Sequence, residues 1–120
     1  MFRKIILACL LALAPATGVV GEPLPLPAAG EAFWGLGTTG IQCYREPCPW
    51  HGVFPIGQDG KRGRPLSHLD QRQPPALDAS EGDRARIEEA FAESGCVVAE
   101  GHFEGGTLVV RRLLGDCRGL

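Results

Sequence analysis

No apolar run in this chain is long enough to cross a bilayer as a helix. The N-terminal run, Ile5 to Ala14, falls well short of the roughly 20 residues that a span needs. An excess of positive charge is also missing, since 12 Lys and Arg stand against 14 Asp and Glu. Bulk attraction to nucleic acid or to an anionic membrane is therefore excluded as a driving force. The glycines form no phosphate-cradling motif and are placed as turn residues. No Cys-x-x-Cys opens a helix, as a thiol–disulfide oxidoreductase would require. No serine–histidine–acid set is marked by a motif. Ser67-His68-Leu69-Asp70 holds all three residue types, but a triad is assembled across a fold, so these read as loop residues.

The N-terminus has the pattern of a secretory signal. Arg3 and Lys4 precede the apolar run, and Ala14-Pro15-Ala16 or Val19-Val20-Gly21 offers small residues for cleavage. Residues 1–21 are expected to be removed after Ala16 or Gly21, leaving no membrane span. Ile6-Leu7-Ala8-Cys9 loosely resembles a lipobox, but the apolar run before Cys9 is very short. Loss of Arg3 and Lys4 leaves ten basic and fourteen acidic residues, a net charge of −4. Four of the five cysteines remain, Cys43, Cys48, Cys96 and Cys117. An even count in a small exported domain implies two disulfides and a periplasmic or secreted location.

Residues 22–32 alternate proline with leucine and alanine, which favours an extended leader outside the fold. Residues 33–120 are expected to form one domain with a modest core. Its main landmark is a hairpin turned on Gly105-Gly106. A regular ladder from that turn sets Phe103 opposite Leu108, Gly101 opposite Val110, Ala99 opposite Arg112 and Val97 opposite Leu114. It also sets Glu100 against Arg111 on a wet face and Cys96 against Gly115. Gly101 on the core face would permit a sharp coil. Ser80 and Asp83 cap a helix over 81–93, with Ile87, Ala90, Phe91 and Ser94 on one face and Gly95 as its C′ stop. Residues 33–44 and 50–56 read as strands, and 65–69 as a short third strand. Residues 70–78 read as loop, and the basic run Lys61-Arg62-Gly63-Arg64 as a solvated one. The order strand, strand, strand, helix, hairpin predicts a mainly β, α+β fold. It is either a small OB-like antiparallel barrel or a four-to-five-stranded sheet covered by one helix.

Cys43-Tyr44-Arg45-Glu46-Pro47-Cys48-Pro49-Trp50-His51 is the densest chemical stretch. Its Cys-x4-Cys-Pro element, with the glycine-turned hairpin at the far end, resembles small exported bacterial proteins of unknown function. The resemblance covers residues 33–117, and it implies no activity. Local geometry favours the pairs Cys43–Cys48 and Cys96–Cys117, the second as a diagonal closed by curling Gly115-Asp116. The rival pairing joins Cys43 to Cys117 and Cys48 to Cys96.

The expected function is binding without catalysis or cofactor, with Tyr44, Trp50 and His51 as ligand-contacting candidates. Their partner would be an envelope or secreted protein or a small ligand, and not nucleic acid. Burial of these aromatics in the core is the competing reading. Other classes are a metal or haem carrier and an inhibitor of a secreted enzyme. The carrier would use Cys43, Cys48 and His51, with His68 or His102 as a fourth ligand.

Overall fold

A computed structural model of the chain describes residues 24–118. The expected signal segment and Cys9 lie outside the described residues. The elements are β1 (Ala32–Thr38), β2 (His51–Ile56), β3 (Ala76–Asp78), α1 (Glu81–Ala92), β4 (Cys96–Glu104) and β5 (Thr107–Asp116). They make a five-stranded sheet in the order β2-β1-β4-β5-β3, curled into a half-barrel with one helix. The class is the expected small α+β fold, mainly β. The sheet is mixed rather than antiparallel, because β3 runs parallel to β5.

Alternation along the strands divides the apolar residues between the two sheet faces. Trp34, Leu36, Val53, Val97, Ala99, Leu108 and Val110 meet Ile87, Ala90 and Phe91 of α1 in one cluster. Phe33, Phe54, Ile56, Val98 and Cys117 form a second cluster, with Leu24 and Leu114 against it. The face expected to be wet is therefore closed along much of its length. Gly35 belongs to this packing: the Phe54 ring lies where a Cβ on Gly35 would be.

The terminal hairpin turns where expected, with Gly105 alone at a positive φ of 61°. A glycine at the first central position is what a type II′ turn asks for. Phe103 pairs with Leu108 and Gly101 with Val110, but the ladder then shifts twice. Glu100 stands opposite Arg112 rather than Arg111, the expected partner of Ala99, Arg112, is replaced by Leu113, and Val97 faces Asp116 rather than Leu114.

 Ala99 itself is thus paired with Leu113. Arg111 and Leu114 are the extra residues of two bulges on β5. The physical reason lies in the side chains. An unbulged ladder would send Arg112 into the helix-side core and Leu113 out to the other face. One extra residue reverses both assignments. Leu113 then packs against the helix-side cluster, and Leu114 against the second one. The close approach beside Gly101, where a Cβ would strike the Val109 carbonyl, suits the coil expected there.

The two shifts also simplify the C-terminal crosslink. Cys117 comes directly opposite Cys96, its N–H donating to the Cys96 carbonyl at 3.0 Å. The Cys96–Cys117 disulfide spans a Cα separation of 5.3 Å, inside the usual range, so no diagonal needs to be closed. The first pair, Cys43–Cys48, has a Cα separation of 5.8 Å.

Four local expectations are corrected. Residues 65–69 form no strand. The segment from Arg62 to Gln71 instead runs irregularly along β2, where Gly63, Leu66 and Gln71 donate N–H bonds to the carbonyls of Pro55, Val53 and His51. Pro65 has no N–H to give and breaks the ladder. The third strand is β3, inside the stretch expected to be loop. The first strand ends at Thr38, where Gly40 and the disulfide loop take over. The helix ends one residue early: Ser94 takes the left-handed C′ conformation (φ 56°), and Gly95 at C″ donates to the Ala90 carbonyl at 2.9 Å, as in a Schellman motif.

The helix start is as expected, with the Ser80 hydroxyl accepting the Asp83 N–H at 3.2 Å. Ser80→Ala should therefore cost about 1 kcal/mol. Phe91→Ala, which empties a core position, should cost about 3–5 kcal/mol. Gly35→Ala should also destabilise, by about 1–3 kcal/mol, because the Phe54 ring must move. Chemical denaturation of the three variants checks the order; equal and negligible losses would contradict this packing.

Candidate functional site

The candidate site is built where the end of β1, the disulfide loop, the start of β2 and the end of α1 meet. Thr39, almost wholly buried, anchors the loop. Its hydroxyl donates to the Pro49 carbonyl at 2.6 Å and accepts the Ile41 N–H at 3.2 Å, while its own N–H donates to the Trp50 carbonyl at 2.9 Å. The loop between these bonds is closed by Cys43–Cys48, with Cys48 buried and residues 41–47 exposed. Arg62, from the basic run expected to be solvated, donates to the carbonyls of Thr39 and Cys117 and lies over the Phe54 ring, 5.3 Å from its centroid.

A groove of about 650 Å³ opens beside this loop. Trp50, Ile41 and Phe91 supply its apolar walls, and His51, Asp70 and Arg72 supply charge and hydrogen bonding. Asp70 comes from the irregular segment along β2. Its Oδ1 accepts the His51 backbone N–H at 2.8 Å and the ring Nδ1–H at 3.0 Å. The bond at Nδ1 leaves Nε2 as the acceptor nitrogen of a neutral ring. Arg72 Nε lies 3.5 Å from the other Asp70 oxygen. Burial acts to raise the Asp70 pKa, but the His51 backbone and ring bonds and the Arg72 charge outweigh it and hold the carboxyl below its ordinary range.

Trp50 also lines a second groove of about 500 Å³, shared with Pro47, Leu69, Asp70 and Arg72. The indole therefore stands between two adjoining depressions. The floor of the first includes Thr38, whose Oγ1 is buried and has no hydrogen-bond partner among the described residues.

Of the three residues singled out from sequence, Trp50 and His51 meet at the groove. Trp50 retains 36% exposure, against its expected alternative of core burial. Tyr44 is fully exposed on the disulfide loop and does not line either groove. Asp70, Arg72 and Thr38 were missed. The eighteen residues between His51 and Asp70 carry no spacing signal, because their approach depends on the irregular path along β2. Both sulfurs expected for a metal site are joined in the Cys43–Cys48 disulfide. Among the described residues, no group of three or more His, Cys, Asp or Glu side chains is placed to hold a metal ion. No helix among them is long and apolar enough to cross a membrane.

A second polar cluster ties the leader to the hairpin. Glu100 is almost wholly buried; its carboxylate accepts Arg112 Nε at 2.6 Å and the Ala28 N–H at 3.1 Å. These two bonds hold its pKa below the ordinary range against burial. His102 lies between carboxylates, with Nδ1 2.9 Å from Glu31 and Nε2 3.0 Å from Glu104. Hydrogen bonds to Glu31 and then Glu104 raise its pKa, although burial opposes them. Leu24 and Ala28 thus place part of the expected free leader against the sheet.

The chain matches no protein-family model, no curated protein and no solved structure. Two disulfides in so small a unit fit an oxidised, extracytoplasmic domain.

Of the three shifted groups, His102 and Asp70 predict opposite pH windows. The raised His102 pKa contributes stability that is full below about 6.5, the ordinary value, and is lost as pH rises through the folded-state value. The lowered Asp70 pKa contributes stability above about 3.8 that is lost as pH falls through its folded-state value. His102→Gln should therefore cost most at mildly acidic pH, and Asp70→Asn most at neutral pH. Denaturation midpoints across pH check this; a pH-independent cost for either variant would contradict it.

Proposed function

We propose that this chain is an exported, non-catalytic binding module whose ligand contacts Trp50 and His51. The observation that carries this reading is the half-exposed Trp50 indole set between two grooves, with the His51–Asp70 pair beside it. Leaving a tryptophan in water at a concave surface forgoes burial that the core could supply, and aromatic anchors flanked by a few polar groups are the usual make-up of a binding site. Export is supported by the signal-like N-terminus and by the two disulfides. Absence of catalysis is supported by the lack of a nucleophile motif in the sequence. Among the described residues, no hydroxyl or thiol is hydrogen-bonded to the His51 ring. A metal or haem role for Cys43 and Cys48 would first require their disulfide to open.

One observation favours an alternative, a docking loop of the inhibitor type. Tyr44 projects fully exposed from the loop closed by Cys43–Cys48, held ready for an enzyme or other protein partner.

The chain has only two tryptophans, so nitrogen-labelled indole signals separate the readings. Trp34 donates its Nε1–H to the Gly101 carbonyl at 3.1 Å and stacks edge-on to Phe103, which makes it an internal control. Fractions of a native envelope extract should include one that moves the Trp50 signal and leaves Trp34 in place, and Trp50→Ala should abolish binding of that fraction. Movement of Tyr44 ring signals with a still Trp50 would favour the docking loop instead.

A further inference from the structure

We infer that the double groove takes a neutral oligosaccharide, with one sugar ring against the Trp50 indole and neighbouring rings on either side. This rests on the binding-module reading and goes further by naming the ligand class. The first observation is extent. Trp50, Asp70 and Arg72 line both grooves, so the two depressions adjoin across one indole and suit a ligand of several linked units.

The second observation is charge. Asp70 and Arg72 lie 3.5 Å apart and offset each other; the first groove adds a histidine to this pair, and the second adds only Glu46 at its exposed disulfide-loop rim. An anion or a cation would find its attraction largely cancelled there. An uncharged ligand rich in hydroxyls uses both partners, donating to Asp70 or His51 Nε2 and accepting from Arg72. The exposed Gln42 side chain adds further capacity of both kinds. Sugar rings combine such hydroxyls with an apolar face that packs on an aromatic plane.

The third observation excludes the competing polymers. An extended peptide commonly binds by adding a strand to a free sheet edge. Here the outward carbonyls of His51, Val53 and Pro55 are already taken by Gln71, Leu66 and Gly63. A nucleic acid needs unpaired cations along a phosphate track, and the groove offers one arginine already paired with an acid.

The test titrates the folded, disulfide-intact protein with cellotetraose, maltotetraose and the tetramer of N-acetylglucosamine, reading the two indole signals. At least one tetrasaccharide should move Trp50 and not Trp34, and should bind about tenfold or more tighter than its monosaccharide because both grooves are filled. Trp50→Ala should lose binding. Gln42→Ala, at an exposed position that leaves the fold intact, should weaken it. An uncharged proline-rich peptide and a thymidine tetranucleotide are the comparison ligands. If either moves Trp50 while all three saccharides leave it still, the oligosaccharide assignment is overturned and the binding groove stands. If saccharides are silent and an envelope fraction still moves Trp50, the same assignment is overturned. If nothing moves Trp50, both fall.

Discussion

Two extra residues in β5 govern this fold. Arg111 and Leu114 each insert one residue against β4, and each insertion exchanges the faces of all that follows. The first keeps Arg112 out of the helix-side core and aligns it with the buried Glu100. The second restores the original facing, so that Cys117 arrives opposite Cys96. A regular hairpin would leave the Arg112 guanidinium among Leu108, Val110 and Ile87, and the cysteines offset. Burial of an uncompensated charge costs far more than the ladder bonds that a bulge gives up. The same insertions increase local twist, which suits a sheet that curls into a half-barrel. Glu100 then holds the Ala28 N–H, so the position of the leader also depends on this register.

The groove follows from how the opposite edge of the sheet is finished. Among the described residues β2 has no strand beyond it, and an unpaired edge invites pairing with other chains. The segment from Arg62 to Gln71 covers that edge with only three backbone bonds, because Pro65 and the Ser67 turn prevent a regular ladder. Irregularity is what frees Asp70 to reach back to the His51 N–H and ring. A straight strand would have carried it past. Thr39 and the Cys43–Cys48 crosslink hold the other wall, leaving Trp50 between two walls fixed by separate means.

Much of this was legible in the residues. Ser80 with Asp83, the apolar stripe of Ile87, Ala90 and Phe91, and the Gly105-Gly106 turn are local signals, and each led to the observed element. The Cys43–Cys48 pair followed from local spacing, whereas Cys96–Cys117 was reached through a diagonal in a hairpin register that the two bulges replace. The hairpin register was legible only near its turn. The adjacent pair Arg111-Arg112 breaks the alternation begun by Leu108 and Val110, and that break is where the first bulge sits. β3 was not legible, because its three residues pair in parallel with a strand far along the chain, and no local pattern encodes a long-range partner. The same holds for the site: Trp50 and His51 stood out by composition, whereas Asp70, Arg72 and Thr38 reach it through the tertiary path.

The register of β4 against β5 is the central claim, and interstrand nuclear Overhauser contacts measure it directly. The bulged ladder predicts contacts pairing Glu100 with Arg112, Ala99 with Leu113 and Val98 with Gly115, and bringing Cys96 opposite Cys117. Contacts pairing Glu100 with Arg111 and Cys96 with Gly115 would show an unbulged ladder and contradict it.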